Sequence, residues 1–437
     1  MITQERILHT NVSAVGDELH FAGYNTIALA KKHGTPLMLI DENRIRENIR
    51  TYKNALCKYF GKDSKLLYAS KALSFTAMYQ IVGQEGICTD IVSVGELYTA
   101  IRAGFDISNA FFHGNAKSDS DIEYAIKNGI GYFVVDTYDE LYAIDKIARA
   151  NNIKQKILFR ITPGIDPHTH SAISTGKVDS KFGTAIETGQ ALEITAEALT
   201  LDGIELCGFH CHIGSQIFET EPYLSCAKIM LDFVSKVKNE LGYEAKMLNL
   251  GGGFGVRYVE SDPVISIENN IKEIAKLVHS LCEQKGINCP TILMEPGRSI
   301  VADAGMTIYT VLSVKEITGY KNYIAIDGGM TDNPRYALYG SAYTVLGANK
   351  MTKKADYVAT IAGRNCESGD LIQENVSVPK MSRGDFLAVL VTGAYNYSMA
   401  SNYNRVPRPA VVLLGDTDRV VVKRESVEDV SRLDITL

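Results

Sequence analysis

Lys71 stands just past a short apolar run, in Tyr68-Ala69-Ser70-Lys71. Three further runs end on residues of comparable promise. One leads into His210-Cys211-His212-Ile213-Gly214-Ser215, one into Gly251-Gly252-Gly253, and one into Glu295-Pro296-Gly297-Arg298. A lysine placed where it can lose its proton is a nucleophile towards a carbonyl carbon. Successive glycines bring bare backbone N–H groups against an anion. A histidine ring can lie flat against another ring, and a carboxylate can keep a ring nitrogen protonated. His168, His170, His210 and His212 raise a metal reading, because His-x-His pairs can bind a cation. Alternate residues of any strand share a face, however, and no HExxH or paired-cysteine spacing accompanies them, so no metal is expected.

The elements that would position these residues recur with regularity. Strand-like runs fall at 65–68, 89–92, 110–113, 132–135, 157–161, 206–212, 247–250 and 291–295. Most are continuously apolar, as parallel strands covered on both faces are. Helical spacing lies between them: Ile45, Ile49, Tyr52 and Leu56 share one face, as do Ile267, Ile271, Ile274, Val278 and Leu281. Asp262-Pro263 reads as the start of the second helix. Eight strands alternating with helices imply a (β/α)8 TIM barrel over 42–300, with an open doubly wound sheet as the alternative. In a barrel the carboxyl ends of the strands form the active rim, and phosphate sites favour the loops after strands seven and eight. After residue 300, runs at 301–314, 323–327, 357–362, 386–392, 409–414 and 419–422 read as strands separated by turns. They imply a second, mainly β domain of 301–437 joined by the N-terminal segment 1–41.

Lysine, histidine, glycine loop and carboxylate therefore share one rim. Pyridoxal phosphate calls for those four: an amine for its aldehyde, a phosphate cradle, a flat group against its ring and a partner for its pyridine nitrogen. The balance of the chain excludes other classes. With 45 basic and 51 acidic residues among 437, net charge −6, and no basic stripe, nucleic acid and anionic membranes are not expected partners. The eight scattered cysteines and the absence of a signal pattern or membrane-length apolar run point to a reduced, cytoplasmic protein.

The motifs also resemble a known family. Tyr68-Ala-Ser-Lys71-Ala72, His113-Gly-Asn115, Ser174-Thr-Gly176 with Lys181-Phe-Gly183, His212-Ile-Gly-Ser-Gln216, Gly251-Gly-Gly253, Glu295-Pro-Gly-Arg298 and Cys366-Glu-Ser-Gly-Asp370 resemble those of diaminopimelate decarboxylases, in the same order from about residue 36 to residue 400. The wider group includes ornithine decarboxylases and resembles alanine racemases in fold. The resemblance implies a pyridoxal 5'-phosphate-dependent lyase of lysine biosynthesis. Its reaction would convert meso-2,6-diaminopimelate, at its D-centre, to L-lysine and carbon dioxide. It also implies a homodimer whose active sites are shared between subunits. By resemblance Lys71 is the amine that holds the cofactor, and His212 lies beside its ring. Ser215, Gly251, Gly252, Gly253 and Gly297 cradle its phosphate with Tyr395 nearby, and Glu295 partners its pyridine nitrogen. Arg298, Arg335 and Tyr339, with Tyr395, hold the substrate's distal carboxylate, a task suited to a guanidinium fork. Glu367 faces the distal ammonium. Cys366 comes from the partner subunit to the reacting carbon, and either it or Lys71 returns the proton. Apart from the resemblance, Arg335 reads as a surface-loop arginine and Cys366 as a small buried filler. The alternatives are an ornithine or arginine decarboxylase and a non-catalytic cofactor-binding relative. Departures from the family pattern are Tyr336 in place of a frequent proline, Ala116, and Arg364-Asn365 ahead of Cys366.

Overall fold

Eight parallel strands close on themselves in the computed structural model, which describes residues 1–165 and 181–437. They are β1 (Lys65–Ala69), β2 (Cys88–Ile91), β3 (Ala110–Phe112), β4 (Tyr132–Val135), β5 (Gln155–Thr162), β6 (Ile204–His210), β7 (Met247–Asn249) and β8 (Thr291–Met294). Each pairs with the next, and β8 pairs back to β1 through Leu293 opposite Lys65. The expected strands are all present, so the closed barrel holds and the open sheet is excluded. One end of the interior is filled by Leu67, Phe111, Tyr132, Val134, Leu158, Cys207 and Leu293. Phe111 and Tyr132 stack with centroids 4.3 Å apart. Side chains of this size leave no pore, which confines chemistry to the rim.

The chain divides into two compact units: Asn48–Gly255 with Val264–Ser299, and Met1–Glu47 with Val256–Pro263 and Ile300–Leu437. The first holds the barrel. Its helix Ile267–Lys285 buries Ile271, Ile274 and Val278, each worth about 1.5–3 kcal/mol of apolar transfer. The expected start at Asp262-Pro263 is corrected. Ser266 caps the helix by accepting from the Asn269 N–H, whereas the Asp262 carboxylate closes a turn on the N–H groups of Tyr258 and Val259. A carboxylate with two backbone donors so close in sequence favours the turn over the cap.

The second unit is built on the long strand Gly305–Ile317. Leu37–Asp41 and Phe386–Leu390 flank its first half antiparallel, and Lys321–Ile326 pairs with its second half. Ala410–Leu414 lies parallel to Leu37–Asp41 and turns back as Asp418–Val422. The N-terminal segment thus supplies an interior strand, with Leu37, Leu39 and Ile40 wholly buried. Tyr357–Ala362 and Leu371–Val378 extend the other edge. Leu371–Val378 and the short Val345–Gly347 were not anticipated. In the former only Ile372, Val376 and Val378 are buried, and Gln373, Glu374 and Asn375 interrupt the alternation. Among the described residues no helix is long and apolar enough to cross a membrane.

Candidate active site

β1 ends in a single 3-10 turn, Ser70–Ala72, that presents Lys71 while Ser70 and Ala72 stay buried. The turn is pinned from β2, where Asp90 accepts the Ser70 backbone N–H at 2.8 Å. Burial, reinforced by the charge of Glu295 and opposed by that of Lys71, pushes Asp90 up to about 7. Burial likewise pushes Glu96 up to about 7, although its carboxylate accepts the Val92 N–H at 2.7 Å. Lys71 therefore has as electrostatic neighbours two acids able to exchange a proton near neutrality.

His212 is half-buried. Its Nδ1 accepts the Gly252 N–H at 3.3 Å, so the ring's remaining proton sits on Nε2. Burial first, then the charges of Lys71 and Arg160, hold its pKa well below the usual histidine range, leaving a neutral flat ring. Glu295, just past β8, is 7% exposed. Its Oε1 accepts from the Asn249 amide at 2.6 Å and its Oε2 from His210 Nε2 at 3.0 Å. His113 Nε2 also lies 3.0 Å from Oε1. Burial alone would raise the Glu295 pKa. The close histidines His113 and His210 outweigh it, and the carboxylate stays well below its ordinary range.

The three glycines are required by packing. A Cβ at Gly251 would lie 2.5 Å from the Cys211 carbonyl oxygen, one at Gly252 2.1 Å from that of Glu295, and one at Gly253 2.2 Å from that of Gly214. The Gly251 N–H already donates to the Asn249 side chain, and that of Gly252 to His212. Two of the three amides thus orient the Glu295 support and the flat ring. Beside this loop the Arg298 guanidinium donates to the Ser215 hydroxyl at 3.2 and 3.0 Å. Gly297 leaves no room for a Cβ, which would meet Ala69 at 2.8 Å.

The β unit carries its own cluster. Arg335 is 5% exposed, so it is not a surface-loop arginine. Its guanidinium lies 5.0 Å from the Tyr258 ring centroid and 5.7 Å from that of Tyr343, and it donates to the Tyr343 hydroxyl at 2.9 Å. Among the described residues it has no carboxylate partner. Tyr343 passes the contact on to Asn396, donating to Oδ1 at 3.2 Å. Tyr339 closes the same short helix, Arg335–Tyr339. Cys366 is exposed, which corrects its reading as buried filler. Its N–H donates to the Asn404 side chain at 2.7 Å, and the neighbouring Asn365 is tied to buried Asp370. Glu367 is exposed on the same loop. Tyr395 holds φ at +63°, a left-handed conformation that a bulky residue keeps only where its surroundings enforce it.

Lys71, His212, Ser215, Gly251–Gly253, Glu295, Gly297 and Arg298 thus belong to the rim of one barrel, and Arg335, Tyr339, Cys366, Glu367 and Tyr395 to the β unit. His168, His170 and Ser174-Thr175-Gly176 lie outside the described residues. Asp90, Glu96, Asn249 and the Tyr258–Tyr343 cage were missed, as was Arg160, a buried guanidinium 4.3 Å from the Phe182 ring centroid. Three of them carried a signal: Asp90, Arg160 and Asn249 are buried polar residues inside strands that are mostly buried.

His113, His210 and Glu295 each offer a ligand atom within 4.8 Å of the others. Both Glu295 oxygens already accept N–H groups, so the cluster is built to hold a carboxylate. A carboxylate kept ionised, a neutral flat ring, a hydroxyl beside a guanidinium, and glycines that admit no Cβ suit pyridoxal phosphate.

Residues 42–302 match the model of the pyridoxal-dependent decarboxylase family, pyridoxal binding domain. The chain is 46% identical to a diaminopimelate decarboxylase of Bacillus methanolicus over 97% of this chain and 98% of that one. To the one of Bacillus subtilis it is 43% identical, over 95% of each. The solved diaminopimelate decarboxylase of M. jannaschii in complex with L-lysine superposes with a TM-score of 0.91 at 32% identity, over 100% of this chain and 99% of that one.

Proposed function

The chain belongs to the pyridoxal-dependent decarboxylases, as a carboxy-lyase that converts diaminopimelate to lysine and carbon dioxide with pyridoxal phosphate as its cofactor, and from that premise we propose how its residues divide the work. When bound, the cofactor supplies the electron sink for the pair released from the Cα–carboxylate bond. Lys71 would hold the cofactor through its aldehyde and would give way there to the amine at the substrate's D-centre. Glu295 keeps the pyridine nitrogen protonated, and neutral His212 lies against the ring without adding charge. Ser215, Gly251, Gly252, Gly253 and Gly297 enclose the phosphate with Tyr395. Either Lys71 or Cys366 returns a proton to the carbon.

Arg335, with Arg298, Tyr339 and Tyr395, grips the distal carboxylate. The observation behind this reading is a buried guanidinium that has no carboxylate partner among the described residues. Burying a charge costs several kcal/mol, so an anion that completes the pair is held firmly. Glu367 faces the distal ammonium, and Cys366 and Glu367 reach the site of a partner subunit in a homodimer. Their exposed loop supports that assignment. We place the enzyme in the cytoplasm, where its eight free thiols stay reduced. The test is carbon dioxide release from meso-diaminopimelate, ornithine and arginine. The reading requires release from the first and little from the other two, and a preference for ornithine would refute it.

A further inference from the structure

His210 is 1% exposed, and its one side-chain hydrogen bond among the described residues runs from Nε2 to Glu295 at 3.0 Å. Its Nδ1 is buried without a partner. A buried polar atom left unsatisfied is costly, and phenylalanine would fill this place without that cost. What phenylalanine lacks is the Nε2–H. Burial pushes the imidazole down to about 4, so at neutral pH it carries a single proton, on the nitrogen that meets the carboxylate. It therefore donates a hydrogen bond to Glu295. His113 braces the arrangement from the side, its ring edge-on to His210 with centroids 4.9 Å apart. The Asn249 amide holds the second oxygen.

We infer that His210 is a positioning residue for the reaction, its Nε2–H locking the Glu295 carboxylate in the orientation that serves the cofactor's pyridine nitrogen. This rests on the reading of Glu295 given above and extends it by one shell. His210 touches neither cofactor nor substrate in this scheme, so its removal must be felt through the ring nitrogen alone.

The experiment titrates apoenzyme by calorimetry with pyridoxal phosphate and with its 1-deaza analogue, in which carbon replaces the ring nitrogen. Parent, His210→Phe, His210→Gln, His210→Asn, Glu295→Gln and the double variant His210→Phe/Glu295→Gln are compared. His210→Phe is expected to weaken pyridoxal phosphate roughly tenfold or more, the ratio that about 1.4 kcal/mol makes. It should change affinity for the deaza analogue less than about twofold. His210→Gln, whose amide reaches the Nε2 position, should recover most of the loss, and the shorter His210→Asn should not. In the Glu295→Gln background His210→Phe should add less than about twofold, because the path it acts through is already cut. Equal weakening of both ligands, or full additivity with Glu295→Gln, would reduce His210 to a core filler and overturn the inference. If Glu295→Gln itself treats the two ligands alike, the assignment of Glu295 fails, and the inference with it. Should His210→Phe not fold, the glutamine and asparagine variants decide by the same contrast.

Discussion

Replacing Arg335 by methionine separates binding from folding. In the folded chain the guanidinium has lost most of its water, a cost of several kcal/mol. Against it stand two tyrosine faces, each worth about 1–2 kcal/mol when desolvated, and the hydrogen bond to Tyr343, worth about 1.5–3 kcal/mol. These contributions nearly cancel. Methionine fills similar space without charge, so unfolding free energy should change by less than about 2 kcal/mol. Substrate binding has no such compensation, because a distal carboxylate would enter the pocket without its partner. A loss of about 2–4 kcal/mol raises the Michaelis constant about 30- to 900-fold. Product-like inhibitors isolate the cause. L-Lysine keeps the distal carboxylate and cadaverine lacks it, so the inhibition constant of L-lysine should rise by a similar factor while that of cadaverine stays put. Carbon dioxide release, inhibition by both amines and urea denaturation supply the three measurements. Equal weakening of both inhibitors, or a stability loss above about 3 kcal/mol with an unchanged Michaelis constant, would show Arg335 to be a strut of its tyrosine cage.

Three further outcomes are expected. Mixing inactive Lys71→Ala with inactive Cys366→Ala should restore partial activity, since one site in each mixed dimer receives both intact residues; no rescue with mixed dimers shown to form would remove Cys366 from the partner's site. Gly252→Ala places a Cβ about where the Glu295 carbonyl oxygen stands, 2.1 Å away, and should cost about 3 kcal/mol or abolish folding, read as the denaturant midpoint. Asp332, buried and pushed by burial up to about 7, keeps its proton in the folded chain between about pH 4 and 7 while the unfolded chain has released it. The folded state then binds more protons, so the parent loses about 1.4 kcal/mol per pH unit as pH rises through that window. Asp332→Asn keeps one oxygen to accept the Gly329 N–H, turns its amide as a donor towards the Tyr309 hydroxyl, and does not titrate, so its stability relative to the parent should climb with pH; a flat difference in urea midpoints at pH 4.5, 5.5 and 6.5 would reject the protonated carboxyl.

Legibility in the sequence followed the range of the physics. The barrel strands could be read because burial on both faces demands a local run of apolar residues. Lys71, His212 and Glu295 could be read because each follows such a run, where the fold places its chemistry. The supports of that rim were harder. Asp90, Arg160 and Asn249 sit within strands, and only the misfit of a polar residue in an enclosed run marks them. His210 was visible as a histidine, but its partner Glu295 lies 85 residues away, and no spacing rule joins β6 to β8. Arg335 is the extreme case. Its neighbours Asn333 and Pro334 have turn chemistry, and its burial depends on Tyr258, carried in by the excursion Val256–Pro263 that leaves the barrel sequence for the other unit. Apolar periodicity cannot announce such an excursion, since eight residues contain too few turns of any helix or strand to show a period. The same reasoning explains Cys366, whose exposure is set by Asp370 and Asn404 holding its loop. The rim residues to which we assign chemistry follow barrel-strand ends and are marked locally. Residues that set charge and orientation behind them are marked by pairings across the fold, so their roles emerge only once the strands are closed.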